Sequence, residues 1–413
     1  MKSRFKRCVW LGLAFSFAVI SAVPLVKAMQ FNGPVNAIGA IAVPGGVGAV
    51  DILWVDQERG RLYVADRTKA AVHIVDAVNS VYVDQVPGFV GAIGASGGRG
   101  GPNGVVVSPD NVLWVGDGNS LLPAVDLNVS PPRIGHTVRL GDPVADGRAD
   151  ELAYDPIERT VLIASDASHP PKVTFVSADT YSILGKIDFP DAEGMEQPVW
   201  DSQLHRFLIT VPASPAYVAV IDPRRMRVTK KYIIRGCSGG VNGLTLGPFQ
   251  RLLASACTNA YVMNAIDGHI ISSIMQVAGG DEVWYNPGDN RYYVTAADRT
   301  ASLGQSLGVI DAATSTWLQN VPAPNIRNIA VYAANNHIFS GVNAPAAGVR
   351  DATSCVWPGW QRLHHDLQSL LTDAPFGGSH DEHQLFSNNV STSRTGLALC
   401  FDCRTSPGST KQR

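Results

Sequence analysis

The sequence predicts an all-β chain, a seven-bladed β-propeller of four-stranded antiparallel blades whose ring is closed by an N-terminal strand. Three observations predict it. A strand–turn–strand unit occurs seven times, about every 40–50 residues, which is blade spacing. A third strand ending at a turn follows most of these units. Long helical periodicity is absent, and no linker-like tract divides the chain before residue 350, although its 413 residues would allow two or three domains.

In chain order, residues 1–28 read as a secretory signal peptide. Lys2, Arg4, Lys6 and Arg7 precede an uncharged apolar run from Val9 to Val23, and Val26-Lys27-Ala28 supplies a cleavage site. The run is about 15 residues, short of the roughly 20 that span a bilayer. Cys8 lies before it and not at its end, which argues against lipidation. No later stretch is long and apolar enough to cross a membrane, so a periplasmic or secreted chain without a transmembrane segment is expected. The division is 1–28 signal peptide, 29–348 propeller, 349–395 insertion or disordered segment, and 396–413 a last-blade strand and tail.

The first unit reads Asp51-Ile-Leu-Trp-Val-Asp56 then Arg61-Leu-Tyr-Val-Ala-Asp66. Its later starts are Asn103-Gly-Val-Val-Val, Asp150-Glu-Leu-Ala-Tyr, Glu196-Gln-Pro-Val-Trp, Asn242-Gly-Leu-Thr-Leu, Asp281-Glu-Val-Trp-Tyr and Asn328-Ile-Ala-Val-Tyr. Third strands include Val72-His-Ile-Val-Asp76, Val218-Ala-Val-Ile-Asp222 and Gly308-Val-Ile-Asp311, and Val228-Thr-Lys-Lys-Tyr-Ile-Ile234 is a fourth. These are β-branched and aromatic runs bounded by turn residues, four per unit, as in a propeller blade. The seventh unit lacks an obvious fourth strand after residue 343. Ala37-Ile-Gly-Ala-Ile-Ala-Val43 is expected to fill that place and remove a sheet edge, six and eight blades being the alternative counts.

Residues 349–395 break the pattern with Trp357, Trp360, a helical-looking stretch from Gln361 to Leu371, and His380-Asp381-Glu382-His383. Either they form an insertion before a strand at Leu397–Asp402, or everything past residue 350 is a tail. The His-Asp-Glu-His run suits zinc or copper by residue type but lacks the spacing of a helical H-E-x-x-H motif, so a solvated loop is expected.

Charged residues are 16% of the chain and the formal net charge is −2, which leaves no basic footprint for nucleic acid. Aligning the units places Asp51, Asn103, Asp150, Glu196, Asn242, Asp281 and Asn328 at one equivalent position, a ring of oxygen-bearing side chains around one channel mouth. Such a ring suits a divalent cation such as Ca²⁺ or a polar ligand. Asp and Asn also cap turns, which gives each position a purely structural reading. Second-strand ends on that face carry Asp66, Asp117, Asp166, Asp298 and Asn343; Arg67, Arg299 and Arg327 fall nearby to pair with an anion or with the ring, and His169 is a lone candidate base.

After export the chain keeps Cys237, Cys257, Cys355, Cys400 and Cys403, an odd number. Cys257 takes the second-strand end in the fifth unit and Cys237 precedes Asn242 on the same face, so a disulfide between them is expected. The Cys400-x-x-Cys403 pair lacks a thioredoxin-like setting.

The Leu-Tyr-Val-Ala-Asp, Val-Ala-Val-Ile-Asp and Leu-Gly-Val-Ile-Asp strings over residues 35–345, with Gly279-Gly-Asp-Glu-Val-Trp-Tyr-Asn-Pro287, resemble the YVTN-repeat propellers of bacterial exported proteins. That resemblance implies seven blades and little about mechanism. Glu196-Gln-Pro-Val-Trp-Asp201, Pro102-Asn103-Gly104 and Val241-Asn242-Gly243 are similar to strings of the gluconolactonase and senescence-marker propellers, which are metal-dependent lactone hydrolases. This second resemblance implies Glu196, Asn242 and Asp281 as metal ligands and Asn103 as a substrate contact; that family has six blades, with its Glu in the first. The expected function is therefore a monomeric exported propeller that holds a small molecule, an ion or a partner protein at the channel mouth, with a lactone hydrolase as the alternative.

Overall fold

The computed structural model describes residues 35–94, 99–298, 305–323, 326, 328–341 and 397–402, with only the backbone described for 297–298 and 397–402. The signal-peptide segment, residues 349–395, Arg299, Arg327, Asn343, Cys355 and Cys403 lie outside these.

Six four-stranded units are blades of continuous chain. Blade one is Val50–Asp56, Arg61–Asp66, Ala71–Asp76 and Val81–Pro87. Blade two is Val105–Val107, Val112–Val115, Leu121–Asp126 and Arg133–Arg139; blade three is Leu152–Asp155, Thr160–Ser165, Lys172–Ser177 and Ile183–Asp188. Blade four is Pro198–Asp201, Arg206–Val211, Tyr217–Asp222 and Arg227–Ile233; blade five is Leu244–Leu246, Arg251–Ser255, Ala260–Asn264 and Ile270–Ile274. Blade six carries an extra short strand, Val277–Ala278, beside Val283–Asn286 on Arg291–Asp298, followed by Gln305–Asp311 and Thr316–Pro322. All pairings are antiparallel.

The expectation of seven blades of one build is corrected here: six blades are made of consecutive strands. After them come only Ile329–Tyr332 and His337–Ser340 in sequence. These two belong to a sheet assembled from both ends of the chain, Leu397–Asp402 pairing with His337–Ser340 and Asn36–Ile41 pairing with Leu397–Asp402. Closure by the N-terminal strand is corrected as well. The leading strands stand side by side around one axis, and Ile329–Tyr332 completes the circuit by touching Val283–Asn286 on one side and Val50–Asp56 on the other. Asn36–Ile41 sits at the outer edge of its sheet.

The burial patterns follow from this geometry. Third strands such as Ala71–Asp76 and Tyr217–Asp222 are buried on both faces and read as continuous apolar runs. Outer strands such as Val81–Pro87 alternate exposed and covered residues, as a strand with one wet face must. Apolar clusters fill the gaps between neighbouring sheets: Phe175 and Phe207, ring centroids 6.5 Å apart, join blades three and four. Phe339 and Tyr332 pack with Leu62 and Val64 across the closure.

Cys237 and Cys257 form the expected disulfide, with Cα atoms 5.7 Å apart. It closes a 20-residue loop, for which chain-entropy arguments give about 3 kcal/mol. Replacing both cysteines by alanine is therefore expected to lower the unfolding free energy by that amount, read as a lower urea midpoint at unchanged slope; an unshifted midpoint would show that the bond does not stabilise the fold.

Candidate functional site

Asp residues serve two roles, and the hydrogen bonds separate them. At the far ends of the strands, Asp56, Asp76, Asp155, Asp201 and Asp222 accept bonds from the backbone N–H groups two and three residues on, at 2.8–3.2 Å. That is turn chemistry. The leading residues of the units make different bonds, mostly to other side chains or across to the next blade.

Arg67, just after the second strand of blade one, pairs with Asp51 and donates through Nε to Asn103 Oδ1 at 2.5 Å, tying blade one to blade two. Asn103 is fully buried and donates to the Gly100 and Ala149 carbonyls at 3.0 and 2.7 Å, the second of which reaches blade three. Asn242 donates to Asp281 Oδ1 at 3.2 Å, joining blades five and six. Asn328 donates to the Asp51 carbonyl and so fastens the closing sheet to blade one. In blade three Arg148 holds both Asp150 and Asp166 at 2.6–2.8 Å. Two glycines beside the ring have a steric cause: a Cβ on Gly104, which follows Asn103, would lie 2.3 Å from the Asp150 carbonyl oxygen, and one on Gly116 2.1 Å from it.

One residue beyond the ring position, in blades three, four and six, lies an inner tier that the sequence reading missed: Glu151, Gln197 and Glu282, all buried. Gln197 spends both ends of its amide. Its Nε2 donates to Glu282 Oε2 at 3.1 Å and to the Val283 carbonyl at 3.3 Å, while its Oε1 accepts from the Leu244 and Val283 N–H groups at 2.8 and 3.3 Å. Glu151 is 7% exposed, and no hydrogen bond reaches its carboxylate among the described residues. A signal for this tier was present, since Glu, Gln and Glu stand in register with Ile52 of blade one.

These carboxyls share one electrostatic neighbourhood. Burial pushes Asp51 up from 3.8 to about 6; Arg67 opposes this, and the charges of Asp150 and Asp281 reinforce it. Burial and the charge of Asp150 raise Asp166 to about 7 against the pull of Arg148. Glu196 is raised well above the carboxylate range by burial and then by Asp150, Asp166 and Asp281. Glu151 and Glu282 are raised likewise, by burial first and then by each other's neighbours: Glu282, Glu196, Asp150 and Asp281 act on Glu151, and Asp281 and Asp51 on Glu282. Residues from blades one, three, four and six thus lie within mutual reach across the axis.

Two cavities open here. One of about 200 Å³ is lined by Asn242, Asp281, Thr295, Ala296, Gln305 and Ile326. The other, of about 370 Å³, runs along the inner walls of the leading strands from Glu151 and Gln197 to Tyr154 and Trp200.

Of the sequence candidates, Asp51, Asn103, Asp150, Asn242, Asp281 and Asn328 join the network described, and Glu196 lies within electrostatic reach of it. His169 is exposed, and no ring residue bonds to it. Arg299 is outside the described residues, and Arg148, which the sequence reading did not single out, is the second described arginine of the site. Among the described residues no three His, Cys, Asp or Glu side chains are gathered as a metal-holding group.

No family model matches the chain, and no curated protein matches it. Among solved structures the chain is similar to one from the "Crystal Structure of Mitotic Checkpoint Complex", at 14% identity and a TM-score of 0.56, over 82% of this chain and 96% of that one. The likeness is one of fold. It agrees with the sheets in placing the chain among β-propellers, a fold consistent with ligand or partner binding. No helix among the described residues is long and apolar enough to cross a membrane.

Raised carboxyls bind a proton more tightly in the folded than in the unfolded chain, so folded stability falls as pH climbs from the ordinary carboxylate value through the raised one. For Asp51, moving from 3.8 to about 6, the effect is on the order of 3 kcal/mol once both values are passed. Lowered carboxylates such as Asp66 and Asp146 act in the opposite sense, but only below about pH 4. The melting temperature at fixed ionic strength is expected to fall between pH 5 and pH 8, and to fall less in Asp51→Asn. A flat or rising profile would contradict this electrostatic account.

Proposed function

We propose that this chain is an exported binding propeller that holds a cation at the acidic mouth of its channel. The observation that carries the reading is the imbalance of charge. Asp51, Asp150, Asp166, Glu196 and Asp281, with Glu151 and Glu282 beneath them, face Arg67 and Arg148. Carboxylates that raise one another's proton affinity are stabilised by any cation that takes the proton's place. The cavity at Asn242 and Asp281 offers that cation the Asp281 carboxylate and the side-chain amides of Asn242 and Gln305 as oxygen ligands. The Cys237–Cys257 disulfide supports an oxidising compartment, in keeping with export.

Calorimetric titration of the purified chain with Ca²⁺ and separately with methylammonium tests the reading. Binding is expected at pH 7.5 with dissociation constants of about 10⁻⁴–10⁻³ M, the range of open extracellular cation sites. Asp281→Asn is expected to weaken it roughly tenfold, the loss of one charged contact. Absence of heat with both cations, or an Asp281→Asn variant that binds as the parent does, would overturn it.

A further inference from the structure

The 370 Å³ cavity beneath the mouth differs in kind from the mouth itself. Ile52, Trp54, Val105, Ala153, Val199 and Trp284 wall it, so that most of its surface is apolar. At the end nearest the ring stand Glu151 and Gln197. The amide of Gln197 is fully engaged with Glu282, Leu244 and Val283. Glu151 is not: it lines the cavity, is 7% exposed and receives no hydrogen bond among the described residues. A carboxyl largely withdrawn from bulk water and turned to an apolar tube is costly to ionise alone, and a ligand group that supplied positive charge and N–H donors there would relieve it.

The shape of the space narrows the ligand further. From Glu151 to Tyr154 the cavity follows three residues of strand, about 10 Å, long enough for a chain of roughly eight carbons. Its volume lies within the roughly 300–1,000 Å³ of small-molecule sites. A fatty acid would bring a carboxylate against Glu151, Glu282 and Glu196, and a neutral alkyl alcohol would leave the local charge unbalanced.

We infer that the channel is the tail-binding part of the site and that it takes a primary alkylammonium ion, its ammonium group on Glu151 and its chain along Trp54, Val199 and Trp284. The inference rests on the reading that the mouth attracts cations, and it adds the class of ligand. The bound chain would exclude water from the tube, and each buried methylene would contribute up to about 0.8 kcal/mol.

Octylammonium, methylammonium, octanol and octanoate are the probes, followed by the fluorescence of the channel tryptophans and by calorimetry. Octylammonium is expected to bind roughly a hundredfold or more tighter than methylammonium, on the strength of its seven additional methylenes. Octanol and octanoate are expected to bind at least roughly tenfold more weakly than octylammonium. Glu151→Gln should lose roughly tenfold or more toward octylammonium. It should melt no lower than the parent, since it removes a buried acid. Val199→Trp, which fills the tube, should abolish octylammonium binding and spare Ca²⁺. If octylammonium binds no tighter than methylammonium, or octanol binds as well as octylammonium, or Glu151→Gln is without effect, the channel inference fails while the mouth reading stands. If neither Ca²⁺ nor any ammonium ion binds, both fail.

Discussion

Gathering polar side chains from every blade onto one axis is the constraint around which this protein is organised. The leading strands must enter the ring side by side, so the residues at their heads meet whatever their charge. Part of the problem is met by neutral groups: Asn103 and Asn328 donate to carbonyls of the neighbouring sheet, and Thr210 donates to the Asn242 carbonyl. Part is met by Arg67 and Arg148, each bridging two ring groups. What is left is an excess of carboxylate held in a poorly solvated space. The apolar clusters between the sheets carry the stability that tolerates it, with side chains such as Phe175, Phe207, Tyr217 and Phe339 fully buried.

Most of the blade pattern is legible in the sequence because a blade is local. Each strand of Val50–Asp56 through Val81–Pro87 pairs with the next one in the chain, so alternating patterning and a turn residue suffice to place it. The last sheet is not local. Its outer strands, Asn36–Ile41 and Leu397–Asp402, come from opposite ends of the chain, and their pairing follows from closure of the ring and not from any neighbouring residue. The equal-blade count fails there for that reason.

The site was half legible for a related reason. Position in the repeat identified Asp51, Asn103, Asp150, Asn242, Asp281 and Asn328, since equivalent places in a closed array meet on the axis. Composition alone could not separate Asp51 from Asp56, which bear the same side chain at opposite ends of one strand and do different work. Arg148 precedes its strand and carries no repeat signal, so only the contacts reveal it. His169 attracted attention by residue type, and its exposed place apart from the network shows how little type says without position.

The inner tier gives the strongest reason to think the acidic mouth answers to something outside the fold. Gln197 demonstrates that an amide at this position can be satisfied completely, with bonds to a carboxylate, a carbonyl and two N–H groups. Blades three and six place Glu at the same level, where a carboxyl meets burial and like charges and is pushed far up in proton affinity. Stability alone favours the neutral side chain at both, by the same physics that satisfies Gln197. A carboxyl in place of an amide is a departure from the most stable choice at both positions, the kind of departure that binding sites carry.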